Sequence, residues 1–219
     1  MLQLDLSRNQ LCDVNKYGQG TFTAEGITAI ADALHVNSAL TVTNLLHTQL
    51  DAESAKMLAE VAKQKGISLC GIQRDKTTAD FSRSRQGLTP PNAILLASDL
   101  SQAFVTGGLT ALDLSFDNPL HQGNFEDEGV SAVCEAIQSN KESKLASLSF
   151  GNNGINPVGA NAVAAMVAVT GGLTSLDLSG NQLCGLDCCY GRGTYTAEGI
   201  TAIADALRVT GALTQVLAF

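Results

Sequence analysis

The chain has 219 residues, with 13 basic and 21 acidic side chains and a formal charge of −8 at neutral pH, and its sequence pI is near 4.7. That balance argues against a nucleic-acid or anionic-membrane partner and admits a protein partner with a basic surface. Hydrophobic residues make up 45% of the chain, with no Trp, three Tyr and seven Phe, so the expected core is aliphatic. No apolar run approaches the ~18 residues that cross a bilayer.

The first motif places Leu4 and Leu6 at alternate positions of a short strand, then Asn9 and Leu11. Alternation puts the two leucines on one face, and an Asn side chain turns the strand by bonding nearby backbone. A helical pattern follows Gly26, with Ile30, Ala31 and Leu34 on one face and Thr23 as the expected N-cap. Leu40, Thr43, Leu45, Thr48 and Leu50 form a degenerate second copy, followed by a helix over 52–65 capped by Asp51, with Ser54, Leu58, Ala59 and Ala62 inward. Residues 67–72 read as a third strand with no helix behind it. Ala79, Phe81, Gln86 and Leu88 read as a fourth, with about two extra residues at 84–85. Pro90 and Pro91 stand where a helix can begin, and Asn92, Leu96, Ala97 and Leu100 share one of its faces.

Clean copies of the strand motif recur at 109–120, 145–155 and 173–183, and a last strand starts at 213–217. Their helices follow Gly129, Gly159 and Gly199; the glycine is expected to let each helix approach the sheet, and Thr196 repeats the cap of Thr23. Spacing is uneven: 39 residues from Leu6 to Leu45, but 28 from Phe150 to Leu178. The long units carry insertions at 12–22, 119–125 and 184–195, expected as loops on one edge. Segments 4–36 and 176–209 are near-copies that share a twelve-residue stretch, 23–34 and 196–207, without a difference.

One strand and one helix per unit, with Leu at fixed positions, is the pattern of a leucine-rich repeat. The ~28-residue undisturbed period and the glycine-based helix face at 198–207 resemble the ribonuclease-inhibitor-like class, whose members include ribonuclease inhibitors, Ran GTPase-activating proteins and the sensing regions of NOD-like receptors. The resemblance implies an α/β solenoid, a right-handed horseshoe with parallel strands on the concave face and helices on the convex face. Residues 1–219 read as one domain of about seven units, with 66–90 as an irregular junction between repeat blocks. No polar capping unit is legible at either end, so a fragment of a longer array remains an open reading.

On the concave face the row formed by Asp5, Asn44, Asp80, Asp113, Ser149 and Asp177 makes an acidic ladder, and Arg8, His47, Arg83 and Phe116 occupy a second row. The ladder can steer a basic partner, or its Asp residues can simply bond neighbouring backbone and hydroxyls. Cys184, Cys188 and Cys189 cluster in a glycine-rich loop, but a closed zinc site wants four ligands and no His lies near. Cys70 and Cys134 read as core thiols. Glu126, Asp127 and Glu128 lack the alternating spacing of a calcium loop and read as a solvated helix start. The glycine pairs at 18–20 and 191–193 lack the Lys-Ser/Thr of a phosphate loop, and His35, His47 and His121 join no catalytic constellation.

The expected protein is therefore a non-catalytic interaction scaffold without metal or cofactor, binding a protein through the concave face or the edge loops. Two other readings stay open: a GTPase-activating protein resembling the Ran activators, with no site residue carried over, and a structural fragment with no dedicated partner. The start of the chain has no basic n-region or cleavage pattern, and the six cysteines lack the spacing of a disulfide framework, so the expected location is cytoplasmic or nuclear.

Overall fold

Strand and helix alternate along almost the whole computed structural model, which describes residues 2–14, 19–82, 89–116, 127–186 and 191–218. In chain order the elements are β1 (Leu2–Asp5), α1 (Glu25–Val36), β2 (Leu40–Asn44), α2 (Ala52–Lys65), β3 (Thr78–Asp80), α3 (Pro90–Ser101) and α4 (Ala103–Thr106). They continue with β4 (Ala111–Asp113), α5 (Asp127–Ser139), β5 (Ser147–Ser149), α6 (Pro157–Val169), β6 (Ser175–Asp177), α7 (Glu198–Val209) and β7 (Gln215–Leu217). Every strand ladder is parallel, and parallel neighbours require a crossover that a helix supplies. The long helices stack in the same order, α1 on α2, α2 on α3, α3 on α5, α5 on α6 and α6 on α7. The middle residues Leu112, Leu148 and Leu176 of successive strands lie opposite one another and are buried in one aliphatic core with Val133, Val163 and Ile203 of the helices.

Asparagine closes the strand ends as expected and does more besides. The Asn153 amide donates to the carbonyl of Phe150 in its own unit at 3.1 Å and to that of Leu114 in the unit before at 2.8 Å. Asn181 repeats this with Leu178 and Phe150, both at 2.9 Å, while its Oδ1 accepts from the backbone of Asn153 and Ile155 at 3.0 Å. Each such side chain satisfies backbone groups of two units, so the turns hold the stack together.

Asp51 caps α2 through the Ser54 amide at 2.8 Å, and Pro90 and Pro91 open α3. The threonine caps are displaced: Ala24 and Ala197 occupy the cap positions of α1 and α7, and Thr196 accepts from the Glu198 amide at 3.2 Å instead. The base glycine also works differently from expectation. A methyl on Gly199 would lie 2.5 Å from the Leu183 carbonyl and 2.9 Å from the Ala160 Cβ, so the close approach is to the preceding turn and the neighbouring helix rather than to the sheet.

The sheet is in two pieces, β1–β2 and β3 through β7. Between them, residues 67–72 join the first piece through bridges Val42–Ser68 and Asn44–Cys70, and no helix separates them from β3. Helices α2 and α3 therefore pack directly. What holds the helix-less segment is Asp99, fully buried on α3. Its carboxyl accepts from Ser68 Oγ at 2.7 Å, from the Leu69 amide at 2.8 Å and from the Cys70 amide at 3.0 Å, and Ser68 Oγ in turn accepts from the Ile72 amide at 2.9 Å. Burial pushes the Asp99 carboxyl up to about 7, against the lowering effect of those bonds.

Asp99→Ala leaves these donors buried without an acceptor and is expected to cost about 3–5 kcal/mol, read from denaturant unfolding. Because the folded carboxyl holds its proton to higher pH than the unfolded one, its contribution is full below pH 4 and is lost as pH rises through 7. An unfolding series over that window on wild type and Asp99→Asn should show this decline only in wild type.

Candidate functional site

The expected ladder is in register. Asp5 lies opposite Asn44 on the first sheet, and Asp80, Asp113, Ser149 and Asp177 are successive partners across the second. Their side chains stand at the strand ends, beside the buried leucines rather than among them. Each also has local work. Asp5, Asp80, Asp113 and Asp177 accept the amide two residues on, from Ser7, Ser82, Ser115 and Ser179, all at 2.9 Å. Asn44 does the same for Leu46 at 3.2 Å. Ser82 and Ser115 add hydroxyl bonds of 2.6 Å, and Ser149 Oγ reaches Asp177 at 3.3 Å. The repeated Asp is thus a turn-forming residue first, as Asn44 shows by filling the position without charge.

The second row departs from expectation. Arg8 is exposed, but His47 and Phe116, expected on the concave face in the same row, are 7% and 8% exposed. Arg83 lies outside the described residues, as do Cys188, Cys189, His121 and Glu126. Arg8 and His47 share a left-handed backbone, with φ of 60° at both. At His47 the turn carries the ring inward, where α3 receives it: Asn92 Oδ1 accepts the His47 amide at 3.2 Å and Asn92 Nδ2 faces His47 Nδ1 at 3.2 Å. With the Asn92 oxygen committed to the backbone, its amide nitrogen is the donor to the ring, which places the His47 proton on Nε2. That Nε2 is buried with no hydrogen-bond partner among the described residues. Burial, with Arg8 second, pushes the ring pKa down to about 4.

Where the sheet divides, the outer face opens into a cleft of about 660 Å³. Its walls come from both sheets: Asp5, Arg8, Asn44 and His47 on one side, Asp80 and Phe81 on the other, with 70–73 and Lys76 as floor and rim. Gln73 spans part of it, donating to Gln3 at 3.1 Å. The cleft thus collects half of the ladder and two of the four second-row residues, while Asp113, Ser149 and Asp177 continue along the sheet beyond it. Sequence reading placed Asn92 on the inward face of its helix without its polar role, and missed Asp99, Gln73 and Lys76. The legible signal was two polar residues seven apart on an apolar helix face, Asn92 and Asp99, which asks for buried partners.

Cys70 and Cys134 are buried free thiols, and burial raises the pKa of both. Cys12, placed in an insertion by the sequence, is also buried, and burial raises its pKa too. Among the described residues no group of three His, Cys, Asp or Glu side chains could hold a metal ion. No described helix is long and apolar enough to cross a membrane. Asp127 begins α5, and its carboxylate accepts from Asn156 of the next unit at 2.7 Å.

The buried imidazole gives a pH response opposite to that of Asp99. Its folded pKa lies below the ordinary 6.5, so the stability it contributes is present above that value and lost as pH falls through 4. Thermal unfolding between pH 4 and 7 should show His47→Asn, which keeps a residue tolerant of the left-handed turn, losing stability more steeply with rising pH than wild type.

No family model matches the sequence, and no curated protein does. Among solved structures the chain is similar to actin-binding site 2 of leiomodin-1, with a TM-score of 0.50 and 16% identity over 73% of this chain and 75% of that one. It is also aligned with the tropomodulin C-terminal domain of Caenorhabditis elegans, at a TM-score of 0.40 and 10% identity over 84% and 92% of the two chains. At such identity the likeness to leiomodin-1 speaks to fold alone, and it fits the leucine-rich repeat architecture of parallel strands and stacked helices seen here.

Proposed function

We propose that this chain is a non-catalytic protein-binding scaffold whose partner lies across the outer sheet face and enters the cleft between the two sheets. The observation that carries the reading is the cleft itself. It is a polar recess of about 660 Å³ flanked by exposed charges of both signs, Arg8 and Lys76 against Asp5 and Asp80, and it continues into the ladder of Asp113, Ser149 and Asp177. A recess with a few fixed polar groups orients a ligand, and the flanking charges select one by complementarity. Large anchors are scarce on this face, since His47 and Phe116 are turned inward, so binding spread over many modest contacts fits better than a single hot spot.

The scaffold is a ribonuclease-inhibitor-like horseshoe of about seven units over 1–219, with its irregular junction at 66–90 and the helices on its convex side, working in the cytoplasm or nucleus. The parallel ladders and ordered helix stack support that geometry. The structural neighbour in leiomodin-1 is an actin-binding site by name, which makes actin the first partner to test. No observation here favours the GTPase-activating alternative.

The test is co-sedimentation with actin filaments, then affinity capture from lysate with mass spectrometry, for wild type and two sets of variants. Asp80→Asn, Asp113→Asn and Asp177→Asn together remove three charges while keeping the turn bonds, as Asn44 does. Arg8→Ala with Lys76→Ala strips the cleft of its cations. A basic partner held by the ladder should bind the triple Asn variant at least tenfold more weakly, about 1.4 kcal/mol, and with a shallower salt dependence. Undiminished binding by both variant sets would remove the outer face and the cleft from consideration.

A further inference from the structure

Among the described residues, α3 is the one long helix with no exposed side chain; α1, α2, α5, α6 and α7 each carry several. Its sequence agrees. Asp99 is the only charged residue between Pro90 and Ser101, and it is buried against 68–70. A helix without charge on any side is built to be covered on every side. Asp99 and Asn92 tie α3 to the strand layer, and α2 and α5 pack on its two flanks. The remaining side lines a groove of about 390 Å³ between α2 and α5. Further helices stand on either side of that groove, α1 beyond α2 and α6 beyond α5, so it belongs to the interior of the repeat stack rather than to its ends.

The floor of the groove is a helical stripe, Ile94, Ala97, Ser98 and Ser101, at the spacing i, i+3, i+4 and i+7. Its hydroxyls are already committed to backbone. Ser101 Oγ donates to the Ser98 carbonyl at 2.8 Å and Ser98 Oγ to the Ala59 carbonyl of α2 at 3.4 Å, while on α5 Ser139 Oγ donates to the Ala136 carbonyl at 2.8 Å. The floor therefore offers apolar contact rather than hydrogen bonds. Charge stands on the walls instead, with Lys56, Glu60 and Lys63 exposed on α2 and Glu135 exposed on α5. Lys56 pairs with Glu53 at 3.0 Å, which leaves Lys63 as the uncommitted cation of its wall among the described residues.

We propose that this groove seats an amphipathic α-helix of a partner protein. An extended peptide would lay its backbone N–H and C=O groups on a floor with no strand edge to pair them, whereas a helix satisfies its own. The floor stripe covers about 10 Å, or two turns of helix. Its small residues Ala97 and Ser101, with Ala132 of α5 beside them, leave room for leucine-sized side chains to enter. The flank of the occupant over α2 is acidic, facing Lys63, and the flank over α5 is basic, facing Glu135. The site shares no residue with the cleft or the ladder and stands independently of the proposed partner surface there.

The probe is a hydrocarbon-stapled synthetic helix with leucines at i, i+3, i+4 and i+7, glutamates along one flank and lysines along the other. Its binding to the whole chain is read by fluorescence anisotropy. Two companion peptides carry glutamate on both flanks or lysine on both. At low salt the mixed peptide should bind about threefold more tightly than either companion, the size of one exposed ion pair. Ala97→Arg sets a charged side chain on the floor and should weaken binding roughly tenfold or more. Ala132→Arg does the same from α5, should Ala97→Arg fail to fold by circular dichroism. Arg8→Ala with Lys76→Ala, which changes only the cleft, should leave binding as it is. No binding of the mixed peptide below about 1 mM overturns the proposal. So does binding that survives both folded arginine variants, equal binding of all three peptides, or loss of binding in the cleft variant.

Discussion

A single buried carboxyl at Asp99 is the constraint from which the shape of the outer face follows. A parallel strand ordinarily needs a crossover helix to return the chain, and residues 67–72 have none. Asp99 takes the place of that missing layer by accepting the donors that an unsupported loop would leave buried. Helix α3 can then close on α2 while the strands above diverge, and the divergence is the cleft. Burial sets the cost of the device in the raised carboxyl pKa, and three directed hydrogen bonds offset it.

Two asparagines next to this point complete the coupling between layers. Asn92, on the same helix as Asp99, fixes both the backbone and the ring of His47. Asn140 of the next unit donates to the Leu100 carbonyl at 2.8 Å and to Thr106 Oγ1 at 3.1 Å, closing the far end of α3 and α4. Arg74, from the loop after the helix-less segment, stacks 2.9 Å from the centre of the Phe104 ring and donates to the Gly66 carbonyl at 3.1 Å. The described stretch 66–74 beside the cleft is therefore tied to α3 and α4 by several polar contacts.

On the outer face, charge and polarity are arranged over a sheet whose turns already employ the same Asp and Asn side chains, so selection for fold and selection for binding act on the same atoms. Steering by charge at such a face is sensitive to salt.

Much of this was legible in local residue patterns. The strands other than 67–72, which was read as a strand and forms only isolated bridges, the helix order, the prolines opening α3, the Asp51 cap and the in-register ladder all depend on periodicities and turn chemistry that act over a few residues. The inward turn of His47 was not legible, because the strand alternation that placed it outside stops at the turn, where a left-handed backbone redirects the chain; the burial of Phe116 was not legible either. Nor was the role of Asp99, whose partners lie about thirty residues earlier and meet it only after α2 and α3 have packed. The sequence by itself determined the repeating unit, since each unit's hydrogen bonds and apolar face are local. Tertiary structure decided where the repeat breaks and which polar groups are buried together, because those depend on what stands next to each unit rather than on the unit itself.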